Sequence, residues 1–243
     1  MQAWGITDVG MVRAENQDSY AIEQLEGGAI LAVVCDGMGG ARSGSVASRL
    51  AMNVFLGEVR RSWRENLSEE KTAQLLREAL ELANTAVFEQ SCESDEFRGM
   101  GTTLVAAIVT AQRADLINVG DSRAYHISAE GIRCVTTDHS FVQMMVQRGE
   151  LTEEQAKNHP QKNLITRAIG TESAVEGDVF HLPYAAGESI FLCSDGVSNL
   201  LADQEILFEV LHGVRKEDCC QRLLEITKQR GAPDNATMVL IVG

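Results

Sequence analysis

Three apolar runs in this chain end on an aspartate followed by a small residue. They are Ala32–Cys35 before Asp36-Gly37, Leu116–Gly120 before Asp121-Ser122, and Phe191–Ser194 before Asp195-Gly196. A fourth acid, Asp234, stands with Asn235 just ahead of the run Thr237–Val242. Short, continuous apolar runs read as strands covered on both faces. Any one Asp-Gly or Asp-Ser pair is an ordinary turn dipeptide. Taken jointly, the four ask for a fold whose strand ends meet at one edge of a sheet. Carboxylates gathered there raise one another's pKa, and a divalent cation removes that cost.

The 243 residues, 44% hydrophobic and with 3 Pro, suffice for one sizeable core, so a single domain over 1–243 is expected. No run approaches the roughly 20 apolar residues of a membrane helix. The start, Met1-Gln-Ala-Trp-Gly5, lacks the basic and apolar regions of a signal peptide. A cytoplasmic protein is expected. The six cysteines agree with this: no Cys-x-x-Cys pair exists, and most lie in apolar runs as small hydrophobes. The formal net charge is −14, from 35 acids against 21 bases. That disfavours a nucleic-acid partner. It is equally awkward for an anionic phosphate substrate unless something cationic sits in the site.

Along the chain the pattern predicts two strands, two helices, about four strands, a helical insertion, two strands, two helices and a last strand. Ala29–Cys35 is the first buried strand. Helices are expected near Ser45–Arg60, with Ala47, Leu50, Ala51 and Val54 on one face, and near Ser68–Gln90, with Leu76, Leu80, Ala83 and Val87 on one face. Short β-rich runs follow at Thr103–Thr110, Ala114–Val119 and Arg123–Ile127. Residues 139–165 differ: Phe141–Arg148 reads as a helix stopped by Gly149, and Thr152-Glu-Glu-Gln155 has capping-box spacing. This segment is amphipathic and reads as an appendage. Strands near Ala174–Leu182 and Ser189–Cys193, a helix capped by Asp203, another near Glu217–Arg230 and a strand at Thr237–Val242 complete the pattern.

An all-oxygen donor set without Cys or a His cluster favours Mg²⁺ or Mn²⁺ over Zn²⁺. Two such ions roughly 3.5–4 Å apart can share a water and make it a hydroxide nucleophile. The segment Arg13-Ala-Glu-Asn16-Gln-Asp18 adds a guanidinium, whose fork matches a phosphate, beside another acid. Gly37, Gly39 and Gly40 permit close backbone approach to a metal or phosphate.

These segments resemble a known family. Arg13-x-x-Asn16-x-Asp18, Asp36-Gly-Met-Gly-Gly40, Gly101-Thr-Thr103, Gly120-Asp-Ser-Arg123 and Asp138-His-Ser140 match bacterial metal-dependent Ser/Thr protein phosphatases, the PPM or type-2C group. So do Thr166-Arg-Ala-Ile-Gly170, Ser194-Asp-Gly196 and Asp234-Asn-Ala-Thr237, in family order over nearly the whole chain. The resemblance implies an α+β fold: a central β-sandwich of two antiparallel sheets flanked by paired helices, four layers αββα, with a helical flap at 139–165. The pattern of strands and helices alone does not separate this from a mixed α/β sheet.

Carried over by position, Asp36, Asp195 and Asp234 hold the two metals, with Asp36 bridging. The Gly37 carbonyl completes one shell, Asp18 acts through a coordinated water, and Arg13 clamps the substrate phosphate. Asp121 helps bind a third, weaker metal with Asp195. Where many eukaryotic members have a His as general acid, this chain has Met38, which has no proton to give. The leaving alkoxide then takes its proton from water or from a flap residue, with His139 the nearest candidate against a structural role in a turn.

The implied activity is hydrolysis of phosphoSer and phosphoThr monoesters by a water bridging two divalent ions, with no phosphoenzyme. The implied partners are phosphoproteins, including a Ser/Thr kinase, for a monomeric enzyme that uses neither nucleic acid nor membrane. The rival readings are a catalytically silent phosphoprotein-binding regulator and a dedicated phosphatase of a single regulator, such as an anti-sigma-factor antagonist. Silent relatives lose metal acids, and here Asp36, Asp195 and Asp234 are all present.

Overall fold

The computed structural model describes residues 1–40 and 43–243. Its core is built from strands that are apolar on both faces. β3 (Ile30–Met38), β5 (Leu104–Val109), β6 (Arg113–Val119), β10 (Ser189–Cys193) and β11 (Ala236–Val242) are almost wholly buried. One sheet has the order β2 (Asp18–Gln24), β3, β5, β6, β9 (Asp178–Pro183), with the two-residue β4 (Gly101–Thr102) paired to β3. The other has the order β1 (Gln2–Asp8), β11, β10, β7 (Arg123–Ser128), β8 (Gly131–Cys134). Every pairing is antiparallel.

The two sheets pack face to face through Val34, Val105, Leu116, Ile190, Leu192 and Val239. The outer face of the first carries α1 (Ser43–Ser62) and α2 (Glu69–Glu93) over Leu31, Leu76, Leu80 and Leu104. The outer face of the second carries α6 (Asp203–His212) and α7 (Cys219–Gln229) over Phe191, Ile206, Leu223 and Leu240. The result is the four-layer αββα sandwich. Each wholly buried Leu in these layers is worth about 2–5 kcal/mol against Ala.

Local chemistry sets the boundaries. Ser68 caps α2 by accepting the Lys71 N–H, with Glu69 and Glu70 in the first turn. α6 differs from expectation: Asp203 is its first residue, Ala202 is the N-cap, and Glu205 Oε2 accepts the Ala202 N–H at 2.9 Å. β3 runs past Cys35 to Met38, so Asp36 lies inside the strand and not beyond it. Thr103 makes that possible, since its N–H bonds the Asp36 carbonyl and its Oγ1 accepts the Asp36 N–H, both at 2.9 Å. Three strands, not two, precede the helices, and the strand expected from Ala174 starts at Asp178.

In 139–165, α3 (Phe141–Gln147) and α4 (Glu153–Lys157) form the expected pair, and Thr152 and Gln155 make the capping box. The segment's two ends are tied together by Phe141 N–H to Leu164 O, 2.8 Å, and Thr166 N–H to His139 O, 2.7 Å. Among the described residues no helix is long and apolar enough to cross a membrane.

Candidate metal centre

The strand ends carrying the acids meet where the two sheets open at one edge. There Arg13, Asp36, Gly37, Asp121, Asp195 and Asp234 line one cavity of about 500 Å³, with Met38, Gly39 and Gly40 also on its wall. Asp18 is not on that wall. It lies behind, 7% exposed, directly opposite Asp36 in the β2–β3 register. Like charges opposed in this way destabilise a sheet.

Each acid is held by its own neighbours. Ser194 Oγ donates to Asp18 Oδ2 at 2.8 Å and accepts the Thr237 N–H at 3.0 Å, which ties β2 to β10 and β11. Asp18 Oδ1 is buried with no hydrogen-bond partner. Asp195 opens the single-turn α5 (Asp195–Ser198), and its Oδ2 accepts from Asn199 Nδ2 at 3.0 Å. Asp234 Oδ1 accepts the Asn235 N–H at 2.9 Å and Oδ2 accepts from Arg13 at 2.7 Å. Asp121 sits in the β6–β7 turn near Asp138, whose carboxylate forms a two-pronged pair with Arg123 at 2.9 and 2.7 Å. Gly37 is required by packing, because a side chain there would strike the carbonyls of Gly44 and Gln17.

The electrostatics follow from this crowding. Burial first, then the charges of Asp195 and Asp234, push Asp18 up to about 7 against the pull of Ser194 and Thr237. Burial, then Asp195 and Asp138, likewise push Asp121 up to about 7. Burial and the surrounding aspartates hold Asp36 well above the usual carboxylate range, and Asp195 is raised by burial and Asp234. Among the described residues Arg13 is the one fixed cation on the wall, itself raised by its hydrogen bond to Asp234.

The residues present fit hard divalent cations. Four aspartates line one cavity with Asp18 behind them, no Cys or His stands among the described wall residues, and one buried oxygen of Asp18 is left without a donor. Among the described residues no three of the acids stand as a finished cage, so the acids surround the cavity without closing on one point.

His139 is 7% exposed and off the cavity wall. Its Nδ1 accepts the Gly120 N–H at 3.2 Å, which leaves the proton on Nε2, 3.2 Å from Asp178 Oδ2. It pins the flap root to the Gly120 turn and is no proton donor to the cavity. Met38 on the wall supplies no donor either. The reading from sequence passed over several residues that build the site: Thr103, Ser194, Asn235, and the flap residues Asn163 and Ile165 on the wall. The first three stood inside the short matching segments, which was their available signal.

Comparison with known proteins gives one family model, Protein phosphatase 2C, over residues 12–229. The "Serine/threonine phosphatase stp" of Listeria monocytogenes is 34% identical over 239 residues, covering 97% of this chain and 93% of that protein. The "Serine/threonine protein phosphatase PstP" of Mycobacterium tuberculosis is 36% identical over 96% of this chain and 43% of its own length. Among solved structures, the S. agalactiae serine/threonine phosphatase superposes with a TM-score of 0.92 at 30% identity, covering 100% of this chain and 99% of that one. The catalytic domain of PstP in complex with 2 manganese ions superposes with a TM-score of 0.85 at 31% identity, covering 98% and 96%.

Proposed function

The chain belongs to the protein phosphatase 2C family and is a metal-dependent Ser/Thr protein phosphatase, and from that premise we propose how its own residues divide the work. Asp36, Asp195 and Asp234 would hold a pair of Mn²⁺ or Mg²⁺ ions, with the Gly37 carbonyl as a further donor. Asp18 orients the pair from behind, and Asp121 with Asp195 offers a weaker third position. When bound, these ions supply an activated water and positive charge against the phosphoryl oxygens. The observation that carries the assignment is the convergence of the acids on one cavity wall with a carboxyl oxygen left unpaired behind it.

Arg13 receives the substrate phosphate. Its side chain is 55% exposed, it stands at the cavity mouth, and Asp234 engages one of its nitrogens, leaving others of the fork for the ester. Fixed charge aimed where charge develops is the largest lever available for a reaction as slow as phosphomonoester hydrolysis. Neither Met38 nor His139 delivers a proton, so water protonates the departing Ser or Thr oxygen.

The substrates are phosphoproteins, and the enzyme opposes a Ser/Thr kinase as a monomer; the likeness to serine/threonine phosphatases over nearly the whole of this chain supports the first part of that reading. The test is hydrolysis of p-nitrophenyl phosphate with Mn²⁺. Asp36→Asn and Asp195→Asn should each lose nearly all activity, whereas wild-type rates in either variant sink the assignment.

A further inference from the structure

The loop at residues 9–17, between β1 and β2, carries Arg13, and a side chain from the far end of the chain holds that loop. Asn235 is 6% exposed. Its Oδ1 accepts the Gln17 N–H at 2.9 Å, and its Nδ2 donates to the carbonyls of Val9 and Glu15, each at 3.0 Å. One carboxamide thus grips the loop at its start, beside Arg13 and at its end. The backbone N–H of the same residue bonds Asp234 Oδ1, and Asp234 Oδ2 accepts from Arg13. Around it, the Met11 N–H bonds the Ala232 carbonyl at 2.8 Å, and Gly10 lies so close to the Asp234 carbonyl that a side chain would not fit.

The chemistry selects an amide. The site needs one acceptor facing an N–H and two donor hydrogens facing two carbonyls, and a carboxamide alone among similarly sized side chains has both. A carboxylate would set an oxygen against two carbonyl oxygens. Arg13, more than half exposed, has little packing of its own to fix its direction, so its aim comes from the loop and from Asp234.

We propose that Asn235 is a positioning residue for phosphate recognition, fixing the loop that aims Arg13 into the cavity. This rests on the role given to Arg13 above.

The experiment is a double-mutant cycle at saturating Mn²⁺ on wild type, Arg13→Ala, Asn235→Asp and the double variant, with Asn235→Ala as the uncharged control. The probe is inorganic phosphate as a competitive inhibitor of p-nitrophenyl phosphate hydrolysis. Misplacing a recognition group by about an ångström costs up to about 100-fold, so each Asn235 variant should weaken phosphate inhibition and raise KM by about tenfold or more. In the Arg13→Ala background the same substitution should change either value by less than about threefold. Hydrogen exchange should speed up over residues 9–17 and not in the sheets, a readout that serves even for a variant too slow to assay. Equal losses in both backgrounds, or unchanged phosphate inhibition beside a loosened loop, overturn the proposal. If Arg13→Ala itself leaves phosphate inhibition unchanged, the assignment of Arg13 has failed instead, while loop exchange still reports on Asn235.

Discussion

Asp18 and Asp36 face each other as directly opposed partners of β2 and β3. Two carboxyls on one face of a sheet, with Asp195 and Asp234 beside them, destabilise the core unless positive charge offsets them. The sandwich is therefore built around an electrostatic cost that a divalent ion relieves, and the expected outcomes below follow from that cost.

Substituting Asp18→Asn separates stability from metal binding. Without metal, the change removes a buried charge with an unpaired oxygen and keeps an acceptor for Ser194 Oγ. Thermal melting in chelator should stay level or rise. The gain in melting temperature on adding Mn²⁺ should shrink, and a gain equal to wild type would count against a role for Asp18.

The pH dependence has a definite sign. Asp18 and Asp121 are raised to about 7 in the fold, against about 3.9 for a free Asp. The folded, metal-free protein binds protons that the unfolded chain has released. Its stability is therefore highest below about pH 4 and falls as pH rises from about 4 to about 7. Bound Mn²⁺ displaces those protons, so the metal-induced rise in melting temperature should grow across the same window. A rise that stays constant from pH 5 to 8 would contradict this.

Arg13→Ala should lower kcat/KM for p-nitrophenyl phosphate by about 100-fold, the usual scale for removing one charge-stabilising donor. Its pair with Asp234 is partly exposed, and such pairs add about 0–1 kcal/mol to stability. Melting should barely move. A large loss of stability with intact kcat/KM would make Arg13 a structural residue.

Asp115 provides the opposite case. It is wholly buried, paired with Arg113 at 2.7 Å and His181 at 2.6 Å on the β5–β6–β9 side of the sheet. Asp115→Ala removes the buried carboxylate that Arg113 and His181 share, while half-buried Arg113 keeps the Leu67 carbonyl and the Thr72 hydroxyl as acceptors, at a cost of about 1–3 kcal/mol. Urea denaturation should show that loss, while kcat measured where the variant is folded stays within about twofold, because the Arg113 cluster lies off the cavity wall.

Substrate preference should follow the charge of the chain. With a net charge of −14, association with phosphopeptides carrying basic flanks should exceed that with acidic flanks at low salt, and the gap should narrow as salt is added. Indistinguishable kcat/KM values at low salt would refute the expectation.

Much of this was legible in the sequence. β5, β10 and β11 announce themselves as unbroken apolar runs, and α2 by its Ser68 cap and its Leu76–Leu80–Ala83–Val87 stripe. β1, β2 and β8 received no bounds from the sequence because they are edge strands, largely half-exposed or exposed, with little apolar signal. The register that sets Asp18 against Asp36, and the β1–β11 pairing of the two chain ends, are long-range facts that no local pattern encodes. The resemblance alone supplied the order of the sheets. Asn235 and Ser194 were invisible as builders because an isolated amide or hydroxyl carries no sign of how many backbone groups it will satisfy.

The most direct measurement is calorimetric titration of Mn²⁺ into metal-free wild type, Asp36→Asn and Asp195→Asn. Wild type should bind about two ions per chain, each variant should lose at least one, and melting curves in chelator should show all three folded. Wild-type stoichiometry and affinity in either folded variant would contradict the claim that these aspartates gather to hold the metal.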